Sequence, residues 1–236
     1  MKKTSVALAG VLAIGLALAV AVPASAASAV LYVPDDFEAS LSDTRATGHF
    51  ELNGAGLRVY TDGATSTDKV AEYVTTSTPL ATVGEPSLNF TNTSGEGTPG
   101  FQLLVDFDGN GTTDGILVGE PGSYGNDWWL NNAAMPFVKA GAPSTTGGSG
   151  SAHHGTLDQW RGVFPGASVT AFGFSLGSGV KGDGVLTAIN FAGTSYTFAA
   201  QTVLASREAC EKGGWETSTA PVFKNQGDCV SSFVGK

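Results

Sequence analysis

The chain has 236 residues, with 21 acidic against 12 basic side chains and a formal net charge of −9. That balance argues against nucleic acid and anionic membrane surfaces as partners, since both attract basic chains. Glycine is abundant and charged residues make up only 14%, a profile that suits a turn-rich β protein and leaves no room for long amphipathic helices.

Residues 1–26 read as an export signal. Lys2 and Lys3 form a short basic start of bacterial type, Val6 to Val22 is an apolar run, and Ala24-Ser25-Ala26 supplies the small-residue cleavage pattern. A retained transmembrane anchor is the alternative for a run of this length. The small-residue exit, with no basic residue just beyond it, favours cleavage. Cleavage after Ala26 leaves 236 − 26 = 210 residues, and Ala29 offers a second site. Losing Lys2 and Lys3 takes the charge from −9 to −11, because no acidic residue lies in the first 30. The expectation is a secreted, extracellular protein with no membrane span after cleavage.

Residues 27–202 are expected to form an all-β, jelly-roll-like sandwich. Ala29 to Val33 is a candidate first strand. Thr47 to Thr61 reads as a hairpin: His49, Glu51 and Arg58 alternate with Phe50, Leu52, Leu57 and Val59, and Asn53-Gly54 offers the turn. Thr67 to Thr75 fits a helical turn or a strand. Ser87 to Thr91 is a short strand. The stretch from Gly100 to Trp129 holds two further strand-like runs. Ala140 to Gly155 is a Gly/Ser-rich loop. One short helix follows, with a capping box at Thr156 and Gln159, an apolar face of Leu157, Trp160, Val163 and Phe164, and a stop at Pro165-Gly166. Ser168 to Phe174, Gly184 to Phe191 and Ser195 to Ala199 read as strands, joined by turns at Lys181-Gly182-Asp183-Gly184 and Ala192-Gly193. Many short strands with Gly-rich turns suit a sandwich. Residues 203–236 form a tail whose two cysteines, Cys210 and Cys229, are expected to pair in an oxidising compartment. Trp215 and Phe223 should pack within that loop.

Two constellations carry the candidate sites. Asp106, Asp108, Asn110, Thr112 (through its carbonyl) and Asp114 stand at positions 1, 3, 5, 7 and 9 of a calcium loop, with Gly111 at the sharp turn. Leu117 occupies position 12, so the bidentate glutamate of an EF-hand is missing. A plain hairpin turn is the alternative, since Asp108-Gly109 and Asn110-Gly111 both favour one. Crowded carboxylates should raise the pKa of at least one of the three aspartates. The second constellation is Tyr124, Asn126, Asp127, Trp128 and Trp129, aromatic rings beside amide and carboxylate groups, a platform suited to an extracellular or cell-wall glycan. In a strand the two tryptophans point to opposite faces, so one belongs to the core. Core packing of both is the competing reading.

Other motifs carry less. Gly173-x-Ser175-x-Gly177 matches the hydrolase nucleophile elbow, but no histidine follows His154 to complete a triad. Gly177-x-Gly179-x-x-Gly182 matches a dinucleotide fingerprint without the helix that fingerprint needs. His153 and His154, with Asp158 four residues on, offer a metal or proton-transfer pair. Glu85, Glu96 and Glu120 are scattered along the sequence and make no visible glycosidase pair.

The run from Asp106 through DGILVGEPGSYGNDWWL to HGTLDQWRGVFPGASVTAFGFSLGSGVKGDGVLTAINFAGTSYTF, with the tail CEKGGWETSTAPVFKNQGDCVSSF, resembles secreted actinobacterial proteins that share a β-sandwich body and this C-x-x-G-G-W…N-Q-G-x-C-V tail. Their body is similar to concanavalin-like and carbohydrate-binding jelly rolls. The resemblance implies export and fold; it carries no activity. The leading expectation is a non-enzymatic extracellular module that binds glycan and is stabilised by calcium. A glycoside hydrolase and a structural cell-surface or matrix protein are its rivals.

Overall fold

The computed structural model describes residues 27–234, and the expected export signal lies outside them. Twelve strands form two six-stranded sheets packed face to face. In the first sheet β11 (Gly182–Phe191) is central. Along one edge it pairs with β5 (Ser87–Gly95), and along the other it meets β3 (Gly56–Thr61) and then β12 (Thr194–Ala199). β2 (His49–Asn53) flanks β3, and β1 (Ala27–Tyr32) runs parallel to β12. The second sheet has the order β4 (Lys69–Pro79), β10 (Ser168–Gly177), β6 (Gly100–Asp106), β7 (Gly115–Gly119), β8 (Asp127–Leu130) and β9 (His154–Thr156).

Alternation puts one face of each sheet into a common core, because successive strand side chains point to opposite sides. Leu57 and Val59 of β3 are fully buried, while Arg58 between them stays on the outer face. There Arg58 pairs with Glu51 across the hairpin at 2.9 Å, clasps both oxygens of Asp183 at 3.0 and 2.9 Å, and lies over the Tyr60 ring. Phe172 of the second sheet stacks on Phe191 of the first with ring centroids 4.2 Å apart. A contact of that kind adds about 0.5–1.5 kcal/mol beyond the area it buries. β6 is buried on both faces. Its outer side is covered by a small cluster of Ala71, Tyr73, Leu104 and Ala171, against which Leu41 and Ile116 pack.

Thr67–Thr75, open between helix and strand in the sequence, falls mostly within β4. The β-branched residues of that stretch decide for strand, and the segment before it protects the exposed edge. The N–H groups of Glu38, Asp43 and Arg45 donate to the carbonyls of Tyr73, Ala71 and Lys69 at 2.8–3.0 Å. The expected hairpin and the three late strands are present, while the loop expected over 140–155 is shorter, since α2 takes Ala140 and β9 takes His154 and Gly155. Two turns shift: Asn53 already pairs with Gly56, so the hairpin turn is Gly54-Ala55, and Gly182 and Asp183 already pair with Thr61 and Tyr60, so the turn before β11 lies at Ser178 to Lys181.

Short helices lie at the rims of the sandwich. They are α1 (Pro121–Tyr124), α2 (Pro136–Ala140), α3 (Leu157–Val163) and, in the tail, α4 (Gln226–Ser232). Of these, α3 is the one expected from the sequence. Its capping box is complete, with the Gln159 N–H donating to Thr156 Oγ1 and the Thr156 N–H to Gln159 Oε1. Leu157 and Trp160 are buried, and the Trp160 indole N–H donates to the Trp128 carbonyl at 3.0 Å. Val163, expected on the apolar face, is 46% exposed; at 3.6 residues per turn it lies about 120° round the helix from Leu157, at the edge of the apolar stripe. No helix among the described residues is long and apolar enough to cross a membrane.

The tail has a separate small core. Cys210 and Cys229 are bonded and fully buried, Phe223 is buried beside them, and Leu204, Trp215, Val230 and Phe233 pack around. Two 3-10 turns and α4, capped by Asn225 through the Asp228 N–H, surround the disulfide. Trp215 and Phe223 thus sit where a short polar loop needs apolar filling.

Candidate functional site

A cleft of about 640 Å³ opens where β5 of the first sheet faces the corner of β7, α1 and β8 in the second. One wall is apolar: Leu88 and Phe90 from β5, Phe101 from β6 and Trp128 at the floor. Trp128 is 5% exposed and belongs to the core, where its ring lies against Gly119. A Cβ at Gly119 would come within 2.8 Å of the indole, so the close approach requires glycine. The other wall is polar, built from Glu120, Ser123 and Asn126 around α1. Tyr124 ends α1 and is 36% exposed. With the half-buried Phe90 it is one of two partly accessible aromatic residues that line the cleft.

Of the five residues expected to bind ligand, the structure brings Tyr124, Asn126 and Trp128 to this cleft and turns Asp127 and Trp129 away. The strand period explains the split, since Asp127 and Trp129 share the face of β8 opposite Trp128. Trp129 donates its indole N–H to Glu120 Oε2 at 3.0 Å. Its ring is covered by Gly150, at which any side chain would collide with the indole. Trp129 therefore positions Glu120, at the cleft rim, from behind. Asp127 accepts from Ser149 Oγ at 3.0 Å and meets His154 Nδ1 at 2.8 Å. His154 is thus partnered by Asp127. Asp158, the partner considered from the sequence, pairs with Arg161 at 2.6 Å instead.

Glu85, Glu96 and Glu120, far apart in sequence, line this one cleft. Sequence reasoning missed their convergence, because it depends on β5 folding over the β7–α1 corner. Ser175, the serine of the elbow-like motif, lies within β10. The chain runs on into a second strand with no helix after it, so the elbow is absent. Its buried Oγ has no hydrogen-bond partner, and the residue lines the cleft. The dinucleotide-like motif lies largely in the turn between β10 and β11 and opens no helix.

The acidic turn lies between β6 and β7. Side-chain oxygens of Asp106, Asp108 and Asp114 come within 4.8 Å of one another, the convergence a hard cation needs. Asp106 and Asp114 are buried and Asp108 is exposed. Backbone donors already hold much of this arrangement. Asp106 Oδ1 accepts from the Gly109 and Asn110 N–H groups at 2.8 and 3.2 Å, and Oδ2 accepts from Gly111 at 2.7 Å. Asp114 Oδ2 accepts from Phe107 at 2.8 Å, and Asn110 Oδ1 from Thr112 at 2.8 Å. Burial pushes the Asp106 carboxyl upward, but the donors of Gly111, Gly109 and Asn110 outweigh it and hold its pKa below the usual value. Crowding does not raise this aspartate, since hydrogen bonds to the charged form win.

Fold and cleft together define a two-sheet β-sandwich with a ligand-sized, mixed-polarity pocket at one end. No protein-family model, no curated protein and no solved structure matches the chain.

Proposed function

We propose that the mature chain is an exported, non-enzymatic extracellular module that binds glycan in this cleft, with calcium at the acidic turn as a stabilising ion. The observation that carries the reading is the composition of the cleft. An exposed tyrosine ring stands beside amide, hydroxyl and carboxylate groups over an apolar floor, and a sugar needs both kinds of surface. Export is supported by the disulfide, which belongs to oxidising compartments, and by the basic start, apolar run and small-residue exit of the first 26 residues of the sequence. For calcium, Asp106, Asp108, Asp114, the Asn110 side chain and the Thr112 carbonyl are the candidate ligands. The ion would neutralise three carboxylates around the turn.

The test is a glycan array probed with the mature protein and with Tyr124→Ala. Binding should fall roughly tenfold or more in the variant, about 1.4 kcal/mol, with little change in Tm because the ring is partly exposed. Equal binding by both proteins would take the aromatic platform out of the reading.

A glycoside hydrolase is the second reading, favoured by one observation: three glutamates share the cleft, and such enzymes need two carboxylates across the scissile bond. Release of reducing ends from a bound glycan, abolished in Glu120→Gln, would move the protein into that class.

A further inference from the structure

The charge of the cleft selects among glycans. Glu85, Glu96 and Glu120 line it, and no lysine, arginine or histidine is among its lining residues. The three carboxylates are not equally engaged. Arg161 takes up part of the Glu85 charge from outside the cleft, with Nη1 3.2 Å from Oε1. Glu120 is held from behind by Trp129 through Oε2. Among the described residues, its Oε1 and both oxygens of the exposed Glu96 accept no hydrogen bond from a side chain. Glu120 Oε1 lies beside Gly100, whose ladder partner on β10 is Ser175.

An unbalanced acidic pocket repels uronates and sulfated sugars and gives a neutral sugar no charge partner. A sugar ammonium, by contrast, supplies three N–H donors to carboxylates placed in advance, the stronger, charge-assisted class of hydrogen bond. We propose that the cleft is selective for amino-sugar glycans with free, unacetylated amines, the Tyr124 ring taking the sugar face while Glu120 and Glu96 take the ammonium groups. This inference rests on the glycan-binding reading and names the substrate class within it.

The test is calorimetric titration of the mature protein at about pH 6, where sugar amines are largely charged. Three oligosaccharides of equal length serve as probes: a deacetylated glucosamine oligomer, its fully N-acetylated counterpart and a uronate oligomer. The free amine should bind roughly tenfold tighter than the acetylated sugar, and the uronate should not bind. About 0.5 M salt, where the screening length is only a few ångströms, should shrink the preference. Glu120→Gln and Glu96→Gln should each weaken binding of the free-amine oligomer more than binding of the acetylated one, and so reduce the preference. Glu96 is exposed, so its variant keeps the test valid should Glu120→Gln disturb the Trp129 contact. Acetylated sugar bound as tightly as the free amine, or uronate bound at all, overturns the amine selectivity and leaves the glycan reading intact. No binding of any of the three by a protein with an unchanged melting curve overturns both.

Discussion

Asp106 and Asp108 sit two residues apart in the acidic turn, yet their replacement by alanine should have different consequences. Asp106 is buried and its carboxylate accepts three backbone N–H groups, from Gly109, Asn110 and Gly111. Bonds to a charged acceptor are worth about 1.5–3 kcal/mol each when their loss leaves buried donors unsatisfied. Here the three donors lie on an exposed turn and regain water, so about 1 kcal/mol apiece is the fitting figure. Asp106→Ala should therefore cost roughly 3 kcal/mol without any metal, which for a domain of this size lowers Tm by roughly 6–12 °C. Asp108 is exposed and accepts only from Asn110, at 3.1 Å, so Asp108→Ala should cost at most about 0.5 kcal/mol.

Calcium separates the two roles further. An ion at a hundredfold excess over Kd adds about 2.7 kcal/mol to the wild type. Extracellular sites bind at roughly 0.1–1 mM, so the assay is a thermal melt across millimolar calcium, reversed with EDTA. Both variants should lose the response, and only Asp106→Ala should also start low. The depressed Asp106 pKa fixes the pH dependence. Its contribution is present above the unfolded value of about 3.9 and is lost as pH falls through the lower folded value, so the wild type and Asp106→Ala should converge in acid. Equal metal-free stability for both variants would refute the account of the turn. A wild-type melt unmoved by calcium would leave only a hydrogen-bonded hairpin.

Two further outcomes follow from the packing. Reducing Cys210–Cys229, with a sequence separation of 19, should remove about 3 kcal/mol from the tail in the chain-entropy model. The change should appear in Trp215 fluorescence, with the sandwich melting as before; a large fall in the main transition would mean that the tail supports the body. Gly150→Val should force the loop off the Trp129 ring, alter indole emission and weaken glycan binding through the released Glu120. Unchanged emission would contradict the packing of that loop.

Local chemistry was legible in the chain, and long-range convergence was not. The β2–β3 hairpin, the capping box of Thr156 and Gln159, the Cys210–Cys229 pair and the clustering of the three aspartates all depend on residues close in sequence, where turn geometry and side-chain period are set by the backbone itself. The same period implied that Trp128 and Trp129 face opposite ways. Which of them enters the core was decided only when β8 paired with β7 and Gly119 admitted the Trp128 ring. Asp127 and His154 met because β8 lies beside β9. Glu85, Glu96 and Glu120 appear scattered because the strands that carry or flank them belong to different sheets, and one cleft gathers them only once the sheets stack. The sequence by itself determined most of the strands, the capping box and the staple, since those rest on contacts within a short segment. The partners each side chain meets across the sandwich, and with them the cleft, were set by tertiary packing.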